Sequence, residues 1–315
     1  MSDDGKGPIE SNGDIKMTIL LTGASGMLGT AIGSALKRRG VRLLILVRRE
    51  PKGQYELRWD PASGRLDEPE RLEGLDDAVH LSGASVASQR WTESYKREMA
   101  ESRVASTRFL SETLAALRQP PPVLVKASAV GFYGNRGDEI LDEDSTAGRG
   151  YFPELCTAWE AAARPAVDAG IRVVHLRFGM VLGRDGGAMA RLAPLFRLGL
   201  GGRLGNGRQW MSWISEEDAV AAALFAVDNP ALSGPVNLAA PQPVTNADFT
   251  RELARAVHRP ALLPAPAFAL RLALGAMADE ALLASTRAVP NRLTQAGFAF
   301  SHPTLPQALA AALAK

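Results

Sequence analysis

One cysteine, Cys156, stands in 315 residues, so no disulfide can close within the chain and no paired-cysteine metal or redox motif exists. Histidine is almost as scarce. His80, His175, His258 and His302 show no ligand spacing, HExxH and GxSxG are absent, and no metal site is expected. A surplus of one charge is missing too: 36 Lys+Arg face 34 Asp+Glu, which removes the basic surface that a nucleic-acid partner needs. No apolar run reaches the length of a membrane span, ALLPAPAFALRLALGAM being broken by two prolines and an arginine. The opening MSDDGKGPIESNGDIK has no signal-peptide core. Residues 1–16 are expected to be a disordered tail and the protein cytoplasmic, with neither nucleic acid nor membrane as partner. The most consequential absence is lysine, which does not occur between Lys126 and Lys315.

What is present is concentrated near the start. TILLTG (18–23) is a short apolar run ending in glycine, as a buried parallel strand would be. GASGMLG spaces Gly23, Gly26 and Gly29 as G-x-x-G-x-x-G. TAIGSALKRRG reads as an amphipathic helix stopped by Gly40, and VRLLILV (41–47) as a second buried strand. Within such a βαβ unit the spacing has a physical meaning. Gly23 permits the turn, Gly26 lets backbone approach a pyrophosphate, and Gly29 lets helix pack closely on strand. The helix start adds free N–H groups and the positive end of its dipole. Gly23, Ser25, Gly26, Met27, Leu28 and Gly29 are therefore the expected cofactor-binding stretch.

The second strand ends in Arg48 and Arg49, where an NAD-binding unit carries Asp or Glu. A carboxylate accepts from a ribose 2′-hydroxyl and repels a 2′-phosphate, whereas a guanidinium pairs with the phosphate. The expectation is NADP(H) in preference to NAD(H), with Arg48 and Arg49 at the phosphate. The competing reading is two solvated surface arginines.

DDAVHLSGAS (76–85) and LVKASAVGFYG (124–134) are again apolar runs ending in small residues. With TGASGMLG before them and LRFGMVLG, GRLGNGRQWMSWISEED and GPVNLAAPQPVTNADF after them, they resemble the successive strand ends of an extended short-chain dehydrogenase/reductase. RW (90–91), LCTAWE, DGGAM, PLFRLGLGG and VPNRLTQAGFAF narrow the resemblance to the atypical YfcH-like "epimerase family", which carries an appended C-terminal domain of unknown function. The resemblance runs from Met17 to the C-terminus. It implies an α/β fold: a Rossmann-type doubly wound parallel sheet with a smaller C-terminal substrate domain, in keeping with strands that alternate with helical stretches. The dinucleotide-binding part is expected at 17–185 with a returning segment near 212–240, and the substrate side at 186–211 and 241–315. ALLPAPAFALRLALGAM is expected to be an apolar helix buried in that second domain. The resemblance also implies that Leu81, Ser82 and Gly83 line the cofactor.

The superfamily's usual chemistry comes from Tyr-x-x-x-Lys on one helix, where the two side chains share a face and the ammonium lowers the phenol's pKa. YFPELCTAWE (151–160) resembles that helix. Matching Glu160 to a glutamate that often follows the lysine puts Phe152 at the tyrosine and Cys156 at the lysine. None of Tyr55, Tyr95, Tyr133 and Tyr151 has a lysine four residues later. The usual serine or threonine becomes Ala129, with Ser128 beside it, and Arg103 in RVAST stands for the usual asparagine. Arg103 is read either as a cation at the cofactor or substrate, or as a helix-surface residue.

Tyr133 and Ser128 are the remaining catalytic candidates, against a reading of Tyr133 as a packed strand-end residue. Lys126 shares Ser128's strand face, with a reach to solvent as its plain explanation, and Cys156 is expected to be a buried, inert thiol. GRLGNGRQWMSW resembles the loop before the arginine that meets a sugar nucleotide's diphosphate in epimerases, but Met211 takes that arginine's place. Arg90, Trp91, Arg208, Gln209 and Trp210 form the expected substrate pocket, the two tryptophans alternatively being core. The functional expectation is an NADP(H)-binding atypical reductase with an unknown small substrate. An NADP(H)-responsive regulatory protein without catalysis and a nucleotide-sugar epimerase or dehydratase are the alternatives.

Overall fold

The computed structural model describes residues 17–184 and 186–314; the tail expected at 1–16 lies outside the described residues. The strands of the first half are β1 Thr18–Thr22, β2 Arg42–Val47, β3 Glu56–Asp60, β4 Arg65–Leu66, β5 Asp77–His80, β6 Val123–Ala129 and β7 Ile140–Leu141. Those of the second half are β8 Arg172–Phe178, β9 Met180–Leu182, β10 Trp210–Met211, β11 Trp213–Ser215, β12 Gly234–Leu238, β13 Val244–Thr245 and β14 Arg287–Ala288. The first helices are α1 Met27–Arg38, α2 Glu93–Ala100, α3 Ser106–Ala115, α4 Tyr151–Ala161 and α5 Arg164–Asp168. They are followed by α6 Met189–Arg197, α7 Glu216–Asp228, α8 Asn246–Ala256, α9 Ala267–Leu274, α10 Asn291–Gln295 and α11 Leu305–Leu313.

Eight strands form one sheet in the order β12-β8-β6-β5-β1-β2-β3-β4, parallel throughout except for β3 with β4. The sheet is Rossmann-type and doubly wound. From β1 the chain builds outward through β2 and β3, then crosses to the other side of β1 for β5, β6, β8 and β12. The order therefore reverses between β1 and β5, where such sheets open a ligand crevice at the carboxyl ends of their strands.

Strand alternation sorts the side chains between two faces. Ile32 and Leu36 of α1, with Ala219, Ala222 and Ala223 of α7, cover Ile19, Leu21, Val123, Val125 and Val174. On the opposite face Leu110 and Leu114 of α3 cover Leu20, Ala78, Leu124 and Val173. Each buried leucine contributes about 2 kcal/mol by removal from water. Toward the carboxyl ends that second face turns polar, because Lys126 and Ser128 follow Leu124 on the same side of β6.

A separate core gathers α6, α8 and α11 around Trp213, with Phe196, Phe249, Leu253 and Leu309. The chain's end departs from the expected partition. Leu293, Phe298 and Phe300 pack on the main core, Phe298 meets Phe225 of α7 at 5.4 Å between centroids, and β14 pairs with β7. These apolar side chains return to the sheet because it supplies the larger dry surface. The expected buried helix is also a correction. The stretch forms α9, but none of its residues is buried, Phe268 being 72% and Leu272 78% exposed. The segment's end turns into a core, Leu274 and Ala276 partly and Met277 fully, with Trp91, Tyr95, Met99 and Leu155. Among the described residues no helix is long and apolar enough to cross a membrane.

Candidate cofactor site and the layer beneath it

Gly23 leaves β1 at φ +71°, and a Cβ there would stand 2.6 Å from the Leu81 carbonyl carbon. A side chain would thus force apart the ends of β1 and β5. At Gly29 a Cβ would fall 2.1 Å from the Gly23 carbonyl oxygen, so α1 could not seat against the loop. Gly26 differs: a Cβ there would meet only Gly23 O, at 3.4 Å. The protein's own packing tolerates a side chain at this exposed position, which leaves close approach from outside as the reason for glycine. Gly26 caps α1 with no side-chain cap bond, and the first turn holds no acidic residue. The helix therefore presents partnerless N–H donors to the crevice. A donor-rich, glycine-floored cradle of this kind fits a pyrophosphate. Ser25 is exposed. Met27 lays its thioether against Gly183, Gly186 and Gly187, and Leu28, partly buried, packs on the main core.

Arg48, just past β2, is exposed and in no ion pair among the described residues. Arg49 is a correction. Its two Nη atoms bind the Glu56 carboxylate at 2.7 and 2.6 Å, and one also donates to the Glu50 carbonyl. The guanidinium first, and the Lys52 backbone N–H second, hold the Glu56 carboxyl down to about 2. Arg49 is spent on tying β2 to β3.

At the end of β5, Leu81 N–H donates to Thr22 O and Ser82 turns inward. Its Oγ donates to Thr22 Oγ1 at 2.9 Å, which lies 2.7 Å from His80 Nδ1. His80 Nε2 meets Thr107 Oγ1 at 3.1 Å, and Trp159 Nε1 donates to that same hydroxyl at 3.0 Å. Burial pushes the His80 imidazole down to about 3, so it is neutral. Gly83 is exposed with Arg103 beneath it. Arg103 is not a helix-surface residue. It is buried in a π-turn, Glu101–Ala105, donates to the carbonyls of Met99 at 3.2 Å and Ala84 at 2.8 Å, and lies 5.1 Å from the Trp159 ring centroid. It props the turn after β5 from below.

Ser128 and Tyr133 are also corrections. Ser128 is buried and its Oγ donates to Glu160 at 2.6 Å. Glu160 receives Nε and Nη2 of Arg177, both at 2.8 Å. Arg177 Nη1 donates to Tyr133 Oη at 2.9 Å, and that oxygen lies 2.8 Å from both Asp142 O and Asn237 Oδ1. A phenol has one proton to give, and here two acceptors inside the protein compete for it. Burial pushes Tyr133 up to about 12, and no part of it is exposed. The 3-10 turn Val130–Tyr133 swings the ring under the sheet end, away from the crevice. For Glu160 burial favours the neutral acid, but the paired Arg177 guanidinium overrides it and holds the carboxyl below its ordinary value.

Phe152, which the resemblance sets at the tyrosine's place, covers Gly131 so closely that a Cβ there would sit 2.6 Å from the ring. Cys156 is buried, and burial raises its thiol to about 12. Lys126 does not reach solvent. It is wholly buried, its Nζ has no hydrogen-bond partner, and it stands 4.7 Å from the Trp159 centroid. Burial pushes this amine down to about 7 and the neighbouring His175 to about 3.

The five expected substrate residues are divided between the interior and the surface. Trp91 is core, its Nε1 donating to Val86 O at 2.7 Å. Gln209 is buried and donates to the carbonyls of Leu204 and Leu282, both at 3.1 Å. Trp210 is half-buried, bonded to Asp138 through Nε1 at 2.8 Å and capped by the Arg287 guanidinium 4.0 Å from its centroid. Arg90 and Arg208 are exposed, Arg90 lying beside Gly275. Sequence reasoning missed Arg177 and Asn237. It also missed Glu280, whose carboxylate accepts from the N–H groups of Tyr151 at 3.0 Å and Phe152 at 2.8 Å and so caps α4. Arg177, near the end of the mostly apolar strand RVVHLRF, was a usable signal for the first; a cap from 128 residues away leaves none.

With this geometry in place, likeness to known proteins becomes informative. Residues 19–239 match the NAD dependent epimerase/dehydratase family, and residues 265–312 match a domain of unknown function, DUF1731. The chain belongs to the NAD-dependent epimerase/dehydratase family. Its relatives include the epimerase family protein Mb2239 of Mycobacterium bovis, 47% identical over 291 residues, covering 92% of this chain and 96% of that protein. The epimerase family protein YfhF of Bacillus subtilis is 36% identical over 303 residues, 95% of this chain and 98% of the relative. Among solved structures, human epimerase family protein SDR39U1 (isoform2), crystallised with NADPH, superposes with a TM-score of 0.86 at 33% identity over 94% of this chain and 99% of that one. A nucleoside-diphosphate sugar epimerase from Corynebacterium glutamicum reaches a TM-score of 0.78 at 37% identity, over 94% of this chain and 58% of that chain. The expected likeness to the atypical epimerase family with its C-terminal appendage is borne out.

Proposed function

We propose that this protein binds NADP(H) in the β1–α1 cradle and is an oxidoreductase on a small substrate, the accompanying proton coming from outside its buried polar layer. The observation that carries the reading is the division of labour after β2: Arg49 is locked to Glu56 while Arg48 stands exposed with no ion partner among the described residues. In this reading Arg48 pairs with the 2′-phosphate, the first N–H groups of α1 hold the pyrophosphate, and Gly26 permits the approach. A bound nicotinamide would supply the hydride. Phe152, where a proton-donating tyrosine would stand, offers an apolar wall that excludes water and holds no proton. The human relative crystallised with NADPH supports the cofactor. The site calls for a small molecule, in a cytoplasmic protein with neither nucleic acid nor membrane as partner.

Calorimetric titration with NADPH and, separately, NADH tests the cofactor. At least tenfold preference for NADPH is expected, and Arg48→Ala should remove most of it. Equal affinity for the two would sink the reading. A screen of small carbonyl substrates for consumption of NADPH tests the chemistry.

A second reading has its own observation. Ser128 and Tyr133 are saturated inside the protein, which favours an NADP(H)-responsive binding protein without turnover. A partner captured only in the presence of NADPH, together with an empty substrate screen, would select it. Epimerisation of a nucleotide sugar is the weakest reading, since Met211 lies against Asn246 and offers a diphosphate no charge.

A further inference from the structure

The connection from β2 to β3 occupies only residues 48–55. Parallel neighbours are usually joined by a dozen or more residues, most often a helix that covers the sheet. Here the α1 side of β2 keeps no such cover. A groove of about 720 Å³ lies in its place, floored by Leu43 and Ile45 and walled by Tyr55. Lys37, Arg42 and Lys52 stand around it.

We propose that this groove is a second ligand site, separate from the cofactor crevice, and that it takes a planar aromatic anion. The floor is apolar and the wall is an aromatic ring left 43% exposed, a surface that a flat ring would cover. Cations surround it without neutralising partners. Lys37 and Lys52 are exposed and form no ion pair among the described residues. The Arg42 guanidinium lies 5.4 Å from the Tyr55 centroid, and its Nε, itself buried, has no acceptor among the described residues. The one carboxylate at the groove, Glu56, is already engaged by both Nη atoms of Arg49. An anion therefore meets positive charge, and its ring can join a stack of guanidinium and phenol. The two sites are distinct. Strand rise is about 3.3 Å per residue, so Arg42 and Arg48 at opposite ends of β2 stand on the order of 20 Å apart.

The test is calorimetric titration of the full chain with 2-naphthoate, with and without saturating NADPH, and with neutral 2-naphthamide as control. Saturable one-to-one binding is expected, unchanged by NADPH and at least tenfold weaker for the amide. Tyr55→Ala and the double variant Lys37→Glu/Lys52→Glu should each weaken it at least tenfold while melting with the wild-type protein, since all three side chains are exposed. Absence of saturable binding, binding that survives both variants, or displacement by NADPH would each overturn the proposal, the last by placing naphthoate in the cofactor crevice.

Discussion

The two corners of the crevice treat their polar groups in opposite ways. Around Gly23–Gly29 the donors are left open: helix N–H groups without a side-chain cap, an exposed glycine and an Arg48 in no ion pair among the described residues. Around β6 and α4 the polar groups are closed on one another, from Ser128 through Glu160 and Arg177 to Tyr133 and Asn237. An unsatisfied corner is kept because a ligand will satisfy it. A buried polar corner must satisfy itself, because an orphaned charge there costs several kcal/mol. One corner is open to a ligand, and the other is an internal brace.

The comparison breaks most sharply at the open corner. Gly29→Val should abolish NADPH binding in calorimetry, because the first carbon of its side chain already collides with Gly23 O. Retained affinity would mean that the cradle is not what holds the cofactor. At the closed corner Arg177→Met should cost about 3–5 kcal/mol in urea denaturation by leaving Glu160 buried and unpaired. The double variant Arg177→Met/Glu160→Met should recover most of that loss; no recovery would show that the pair is not the unit.

Lys126 sharpens the contrast, because its buried Nζ has no hydrogen-bond partner among the described residues. Its folded pKa near 7 lies below the ordinary 10.5, so the unfolded chain binds more protons between those values. Stability should therefore rise as pH rises through that window. Lys126→Met should stabilise the protein by on the order of 2–4 kcal/mol at pH 7, the gain vanishing above the ordinary lysine pKa. A pH-independent melting difference would contradict this account. Smaller effects separate the two arginines and the tyrosine. Arg48→Ala should weaken NADPH about tenfold, roughly 1.4 kcal/mol, and leave NADH unchanged, whereas Arg49→Ala should shift both little. Tyr133→Phe should cost about 1 kcal/mol of stability and alter neither cofactor affinity nor any turnover found; loss of turnover at full stability would return Tyr133 to the chemistry.

Local pattern made the binding half readable in advance. TILLTG, the glycine spacing and VRLLILV each carry their meaning within a few residues, and the βαβ unit stands where they place it. The absent lysine was equally plain. The fate of Tyr133 was not, because the SAVGFYG motif looks the same whether its tyrosine faces a cofactor or packs beneath the sheet. Arg103, Gln209 and Trp91, the last read as pocket or core, were undecided in the sequence for a related reason. Polar and aromatic residues near a crevice serve as props as readily as contacts, and only their backbone acceptors tell which. The apolar run before Met277 read as a buried helix because hydrophobicity gives no direction; its surroundings leave α9 uncovered.

By itself the sequence determined the strand–glycine–helix cradle, the basic end of β2 and the loss of the tyrosine–lysine dyad, since each is a matter of residue type at short spacing. The tertiary structure alone decided which of two adjacent arginines is free, that Tyr133 and Ser128 are spent, and that Glu280 caps α4. Those outcomes depend on partners brought together from distant strands and helices, and a hydrogen bond is settled by the group that arrives to share it.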